Sequence, residues 1–211
     1  MKIQICVPCM DQVPALFARS LAMIQKPDGI DVSLAFEMSS LIYTARNNLA
    51  LKSIQQEADF TLWLDSDMVF PPDILIRLLE TQKETGADIV TGVYYRRKGS
   101  YAPVLFNRLD IYEDSQTAKF TEFQEIPDKP FEIGGCGFGA VLVSTGALMD
   151  VSAKYGNLFA PIGNNGEDVS FCWRARMCGN NIIADPRIPI GHVGQTVITK
   201  EFYEAIRGEN K

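Results

Sequence analysis

Histidine is scarce in this chain: His192 is the only one among 211 residues. Basic residues are also few, 20 lysines and arginines against 26 aspartates and glutamates, which leaves a net charge of −6. A broad nucleic-acid footprint needs the opposite balance, so that class of partner is set aside. A single nucleotide is not, because a metal ion can offset its phosphates locally. The five cysteines (Cys6, Cys9, Cys136, Cys172 and Cys178) are an odd number. With no secretory signature beside them, they do not call for a disulfide framework. Cys6 and Cys9 form a C-x-x-C that could be redox-active or half of a zinc site. No second C-x-x-C follows and the sole histidine lies far along the chain, which favours two small buried residues at a strand end. Long apolar runs are missing too. The longest, Gly134 to Met149, is broken by five glycines and has no flanking anchors, so it does not read as a membrane span. The run Ile3 to Pro8 is too short for a signal peptide and reads as a strand. These features predict a cytoplasmic protein with no transmembrane segment.

What is present suits one domain with a sizeable core: 46% of the residues are hydrophobic and 22% charged. Residues 2–8 read as a first strand and Pro14 to about Ile24 as a helix with apolar residues at helical spacing. Pro27-Asp28-Gly29 is a turn. Ile30 to Phe36 is a second strand, Leu41 to Ser53 a helix, and Phe60 to Leu64 a third strand, apolar on both faces as in a buried parallel sheet. Pro71-Pro72-Asp73 opens a helix to about Glu84, and Ile89 to Tyr94 is a fourth strand. This alternation predicts a parallel α/β sheet with crossover helices. The second half differs. Short strands around a polar hairpin near Asp114-Ser115 span Tyr101 to Phe123, and a glycine-rich segment ends in Ala140-Val141-Leu142-Val143. Helices follow at Gly146–Tyr155 and Val169–Cys178, the latter stopped by Gly179. Ile182-Ile183-Ala184 is a strand, and an amphipathic helix from about Thr199 to Arg207 closes the chain.

Three patterns carry chemistry. The third strand ends in Asp65-Ser66-Asp67, two carboxylates on one face if the strand continues. Hard divalent cations take such oxygen ligands and often bridge to phosphate, although two aspartates can also simply cap a loop. His192 lies between two glycines after a predicted strand and suits Mn²⁺ better than Ca²⁺; a lone histidine can equally be structural. Gly166-Glu167-Asp168 opens a helix, where the dipole favours an ionised carboxylate. Such a group can act as general base toward a hydroxyl or merely cap the helix. Arg96-Arg97-Lys98 reads as a solvated basic loop or a phosphate contact. Trp63 reads as core, and Trp173 as open to an acceptor role.

In this order, the segments Thr44-Ala45-Arg46-Asn47-Asn48, Leu62-Trp63-Leu64-Asp65-Ser66-Asp67, Gly166-Glu167-Asp168, Asp185-Pro186 and His192 resemble the family 2 glycosyltransferases with the GT-A fold. The resemblance runs from about residue 3 to 194. It implies an α/β fold of GT-A type: a Rossmann-like, mostly parallel central sheet flanked by helices, with a small antiparallel element in the second half. It also implies one domain over 1–211, with about 1–95 as the nucleotide-binding half and about 96–211 as the acceptor-side half. The implied activity is metal-dependent transfer of a sugar from a nucleotide-diphospho-sugar, a UDP-sugar favoured, to an acceptor hydroxyl on a glycan, a lipid-linked group or a protein. The class would be a hexosyl- or N-acetylhexosaminyltransferase, inverting, and adding one sugar, since the membrane helices of processive members are missing.

Residue by residue, the resemblance implies Asp168 as the base, with Glu167 positioning the acceptor. Asp67, His192 and Asp65 would serve Mn²⁺ or Mg²⁺, with Asp65 also touching the donor ribose. Pro8, Cys9, Glu37, Arg46, Ser66 and Gly135 would line the nucleotide-sugar site. Two other readings stay open: a D-x-D phosphotransferase or phosphatase with Asp65 as nucleophile, and a sugar-nucleotide-binding module without turnover.

Overall fold

The computed structural model describes the chain except for Glu113, Ser115, Gln116, Gln124, Gln195, Thr196, Asn210 and Lys211; of Ile206, Gly208 and Glu209 it describes the backbone alone. The element order is β1 (Lys2–Cys9), α1 (Ala15–Ala22), β2 (Asp31–Met38), α2 (Ile42–Gln55), β3 (Phe60–Leu64), β4 (Met68–Val69), α3 (Ile74–Thr85) and β5 (Ile89–Val93). There follow β6 (Leu105–Tyr112), β7 (Thr117–Glu122), β8 (Phe131–Glu132), β9 (Gly135–Cys136), β10 (Ala140–Ser144) and α4 (Thr145–Tyr155). The chain finishes with α5 (Glu167–Met177), β11 (Ile182–Pro189), β12 (Gly191–Val193), β13 (Val197–Ile198) and α6 (Lys200–Glu209). Asp114 lies in the turn between the paired β6 and β7; Ser115, read with it from the sequence, is outside the described residues.

Among the described residues the strands form three sheets. The largest has the order β2-β1-β3-β10-β5-β11-β8. β2, β1 and β3 are mutually parallel, as are β5 and β11, while β10 and β8 run against their neighbours. Because β10 is antiparallel to both β3 and β5, those two strands run the same way and end at the same edge of the sheet. The expected mostly parallel sheet is therefore present. The sequence pattern had no means of showing that Ala140–Ser144 inserts between two strands of the first half, antiparallel to both. Two smaller sheets, β13-β12-β4 and β7-β6-β9, are the antiparallel part of the fold.

Both faces of the main sheet are covered, which explains why its strands are apolar throughout rather than alternating. Ile3, Ile5 and Val7 of β1 point into one core layer with Phe17, Leu62, Leu64 and Leu78. Cys6 and Trp63 point into the other, with Leu49, Phe138, Phe159 and Phe171. Trp63, Phe138, Phe159 and Phe171 are fully buried and form one aromatic cluster. Burial of each such side chain contributes about 1.5–3 kcal/mol. Helix ends follow local rules: the Ser144 side chain accepts the Ala147 N–H to start α4, and Gly86 and Gly179, with φ of 69° and 91°, stop α3 and α5.

Candidate active site

The parallel strands end on one edge of the sheet, and the residues singled out from the sequence are delivered there. Pro8 and Cys9 end β1 in register with Glu37 and Met38 of β2. Asp65 follows β3 directly. Its N–H donates to the Gly139 carbonyl (3.0 Å), and its own carbonyl accepts the Met68 N–H (3.1 Å), so Asp65-Ser66-Asp67 is a tight turn. β4 then pairs with β12, setting Met68 opposite His192, while the Val193 N–H donates to the Asp67 carbonyl (2.8 Å). This small sheet brings the sole histidine to Asp67, and no period in the sequence announces two-residue strands.

Arg46 lies at the centre. It is 2% exposed, and its guanidinium sits 5.0 Å above the Phe138 ring. Nη2 donates to Asp65 Oδ1 at 2.7 Å and Nη1 lies 3.2 Å from Glu167 Oε1. Burial opposes its charge, but Asp65, Glu167 and Asp168 outweigh that and raise its pKa. For Asp65 the balance falls the other way. Burial, together with the nearby charges of Asp67 and Asp168, lifts its carboxyl to about 6 despite Arg46. Thus Arg46 does not line an open donor cleft; it is a buried link between the D-x-D turn and the acidic start of α5. Its helix neighbours extend the link. Asn47 Oδ1 accepts the Phe159 N–H (3.0 Å), and Asn48 Nδ2 donates to Glu37 Oε1 (2.8 Å).

Glu167 and Asp168 occupy the first turn of α5, where the dipole stabilises negative charge. Asp168 Oδ1 accepts the Val169 N–H at 2.7 Å, and its carboxylate folds back over Gly166 so closely that a Cβ there would collide with it. Asp168 is half-buried.

At the other end of the D-x-D turn, Asp67 Oδ2 lies 3.3 Å from His192 Nε2 and accepts from Arg97 Nη1 at 2.6 Å. His192 Nδ1 lies 2.8 Å from the Tyr95 carbonyl. A carbonyl can only accept, so Nδ1 carries hydrogen, and in the neutral ring Nε2 presents a lone pair. Facing a carboxylate oxygen, Nε2 is suited either to a proton donated to that oxygen or to a cation held beside both groups. Hydrogen bonding to a backbone carbonyl is also how metal-ligating histidines are oriented. Burial opposes ionisation of Asp67, yet His192 and Arg97 hold its carboxyl below the ordinary range. Among the described residues no group of three histidine, cysteine or acidic side chains converges on one point. Asp67 and His192 are the two groups at this corner that could hold a cation, whose remaining ligands would have to come from elsewhere.

Other expectations resolve as follows. Gly135 is buried in β9, and a Cβ there would meet Leu109 and Cys172, so it is a packing position. Ser66 is half-buried in the turn. Cys6 is buried, its thiol pushed up to about 12 by burial, and all five cysteines are free. Trp63 is core; Trp173, expected to be open to an acceptor, is instead buried against Tyr155 because α5 packs that face on α4. Sequence reasoning missed Tyr94, whose ring stacks edge-on to His192 at 5.7 Å and whose hydroxyl accepts the Gly139 N–H. It also missed Phe138 beneath Arg46. A cavity of about 500 Å³ lined by Val69, Tyr95, Ile190 and Gly191 adjoins the histidine strand but contains none of the site's acidic groups.

Open α/β sheets bind their ligands at the carboxyl ends of their strands, which is where these carboxylates lie. Residues 42–149 match Glycosyl transferase family 2, and the chain belongs to that family, with the GT-A fold. Among solved structures it is similar to A197 from STIV, at 18% identity and a TM-score of 0.65, with 94% of each chain covered. It is also similar to GalNAc-T7, whose structure holds UDP, GalNAc and Mn²⁺, at 12% identity and a TM-score of 0.63. That match covers 92% of this chain and 44% of GalNAc-T7, so this chain spans less than half of that relative. No curated protein matches it in sequence. The family assignment makes the protein a glycosyltransferase that uses a nucleotide-sugar and sets aside the phosphotransferase reading. Among the described residues no helix is long and apolar enough to cross a membrane.

Proposed function

We propose that the protein transfers one hexosyl or N-acetylhexosaminyl group from a nucleotide-diphospho-sugar, a UDP-sugar favoured, to an acceptor hydroxyl with inversion. The observation that carries this reading is the buried Arg46 joining Asp65 to Glu167, with Asp67 and His192 on one side and Asp168 on the other. In this reading about 1–95 binds the donor and about 96–211 the acceptor. Pro8, Cys9 and Glu37, together at the ends of β1 and β2, would take the nucleobase, and Asp65 the ribose.

Asp67 and His192 would hold Mn²⁺ or Mg²⁺. When bound, the cation would neutralise charge growing on the leaving diphosphate. Asp168, held over the N-terminus of α5, accepts the proton of the acceptor hydroxyl. The oxygen then bonds to the anomeric carbon while the bond from that carbon to the diphosphate breaks, releasing a nucleoside diphosphate. Arg46 keeps Asp65 and Glu167 at fixed separation through both events, which is the pre-organisation such a step needs. A cytoplasmic setting is supported by the five free cysteines.

The test is nucleoside diphosphate release from a panel of sugar nucleotides with Mn²⁺, with Mg²⁺, and after chelation. Metal-dependent release from one donor, lost in Asp67→Ala, is expected. Nucleotide binding without release from any donor would show a binding module instead.

A further inference from the structure

We infer that Arg97 is an exchange residue: it holds Asp67 while no cation is bound, and passes to the donor's diphosphate when a divalent cation takes that carboxylate. This rests on the sugar-nucleotide reading above.

The guanidinium occupies the carboxylate oxygen that also faces His192, with Arg97 Nη1 2.6 Å and His192 Nε2 3.3 Å from Asp67 Oδ2. A dication held by Asp67 and His192 and a guanidinium on that same oxygen repel each other, so one displaces the other. Arg97 is suited to leave. Its side chain is 46% exposed, against 3% for Arg46, and its other hydrogen bond, to the Val193 carbonyl, is long at 3.4 Å. An exposed ion pair of this kind is weak.

The backbone that carries it is not free to follow. Tyr95 bridges Pro103, and the Arg96 N–H donates to the Ala102 carbonyl at 2.9 Å, closing the loop at its base. Gly99 and Tyr101 take left-handed conformations, φ 74° and 50°, that set a tight turn. Arg96 points the other way and pairs with Glu122 at 2.7 Å. The exchange is therefore a side-chain rotation from a fixed base. A released guanidinium stays within one side-chain length of Asp67, and hence beside any diphosphate on a cation held there. Its planar fork suits phosphate oxygens, which a compact ammonium matches less well.

The experiment uses the full chain and needs no acceptor. Free Mn²⁺ is followed by electron paramagnetic resonance as it is titrated into wild type, Arg97→Ala and Arg97→Lys, and UDP is then titrated calorimetrically at saturating Mn²⁺. Removing the competitor should tighten Mn²⁺ binding about threefold in Arg97→Ala. UDP should bind that variant about tenfold more weakly than wild type, with Arg97→Lys between. Unchanged or weaker Mn²⁺ binding, or unchanged UDP binding, in Arg97→Ala overturns the exchange while leaving the sugar-nucleotide reading in place. If wild type itself binds neither Mn²⁺ nor UDP, both fall together.

Discussion

Arg46 explains why two acidic elements distant in sequence can lie side by side. Its charge is buried on an aromatic floor and is tolerated because two carboxylates face it. Removing one partner of a buried pair is costly, since the remaining charges lose their compensation. Arg46→Ala should therefore destabilise the fold by about 3 kcal/mol, read as a fall in the denaturant midpoint. Arg46→Lys keeps the charge but reaches only one carboxylate, so it should fold with partial loss of stability and a much lower kcat. At this scale the sequence was informative about identity and less so about role. Asp65, Asp67, Asp168, Arg46 and His192 were nominated because acidic pairs, a lone histidine and an A-R-N helix stand out as residue types. That Arg46 serves the carboxylates rather than an open cleft depends on burial, which residue type does not encode. Arg97 was noticed as part of a basic triplet, but its pairing with Asp67 depends on a loop closed by Pro103.

At the scale of elements, the glycine-rich run before β10 makes room for the site. A Cβ at Gly137 would strike the Tyr94 hydroxyl and lie 2.8 Å from Val104; one at Gly139 would lie 2.8 Å from the Tyr94 ring. Tyr94 in turn backs the His192 ring. Gly137→Ala should cost about 1–3 kcal/mol through overpacking, seen as a lower melting temperature, and weaken Mn²⁺ binding by shifting Tyr94. An unchanged Mn²⁺ affinity would show that Tyr94 does not position His192. The long elements were legible because apolar runs and helical spacing repeat over several residues. β4, β9 and β12 were not, because two or three residues cannot show a period; yet the pairing of β4 with β12 is what brings His192 to Asp67.

Across the whole molecule, one of the ties between the second half and the first is a buried acid on the main sheet. Asp185, 2% exposed at the β11 end of the sheet, is held by Thr81 of α3 and by Arg187. Burial opposes its ionisation, but these hydrogen bonds and the Arg187 charge keep its carboxyl below the ordinary 3.8. A depressed carboxylate contributes stability that is fully present above the unfolded value and lost as pH falls through the folded one. Wild type should thus exceed Asp185→Asn by about 2 kcal/mol at neutral pH. The gap should hold down to about pH 4 and close below it, which urea unfolding across pH will show. Asp65 has the opposite sign: with its carboxyl raised to about 6, its ionisation costs stability as pH rises from about 4. Comparing the two proteins at each pH cancels that contribution.

The central claim is that Asp168 is the base of a sugar-transfer site organised around Asp65, Asp67 and His192. It is tested most directly by kcat for sugar transfer in Asp168→Asn against wild type, on the donor that wild type uses, with UDP affinity measured alongside. A fall of about 10²–10⁴ in kcat with UDP affinity retained is the predicted result. Full turnover in Asp168→Asn would contradict the account.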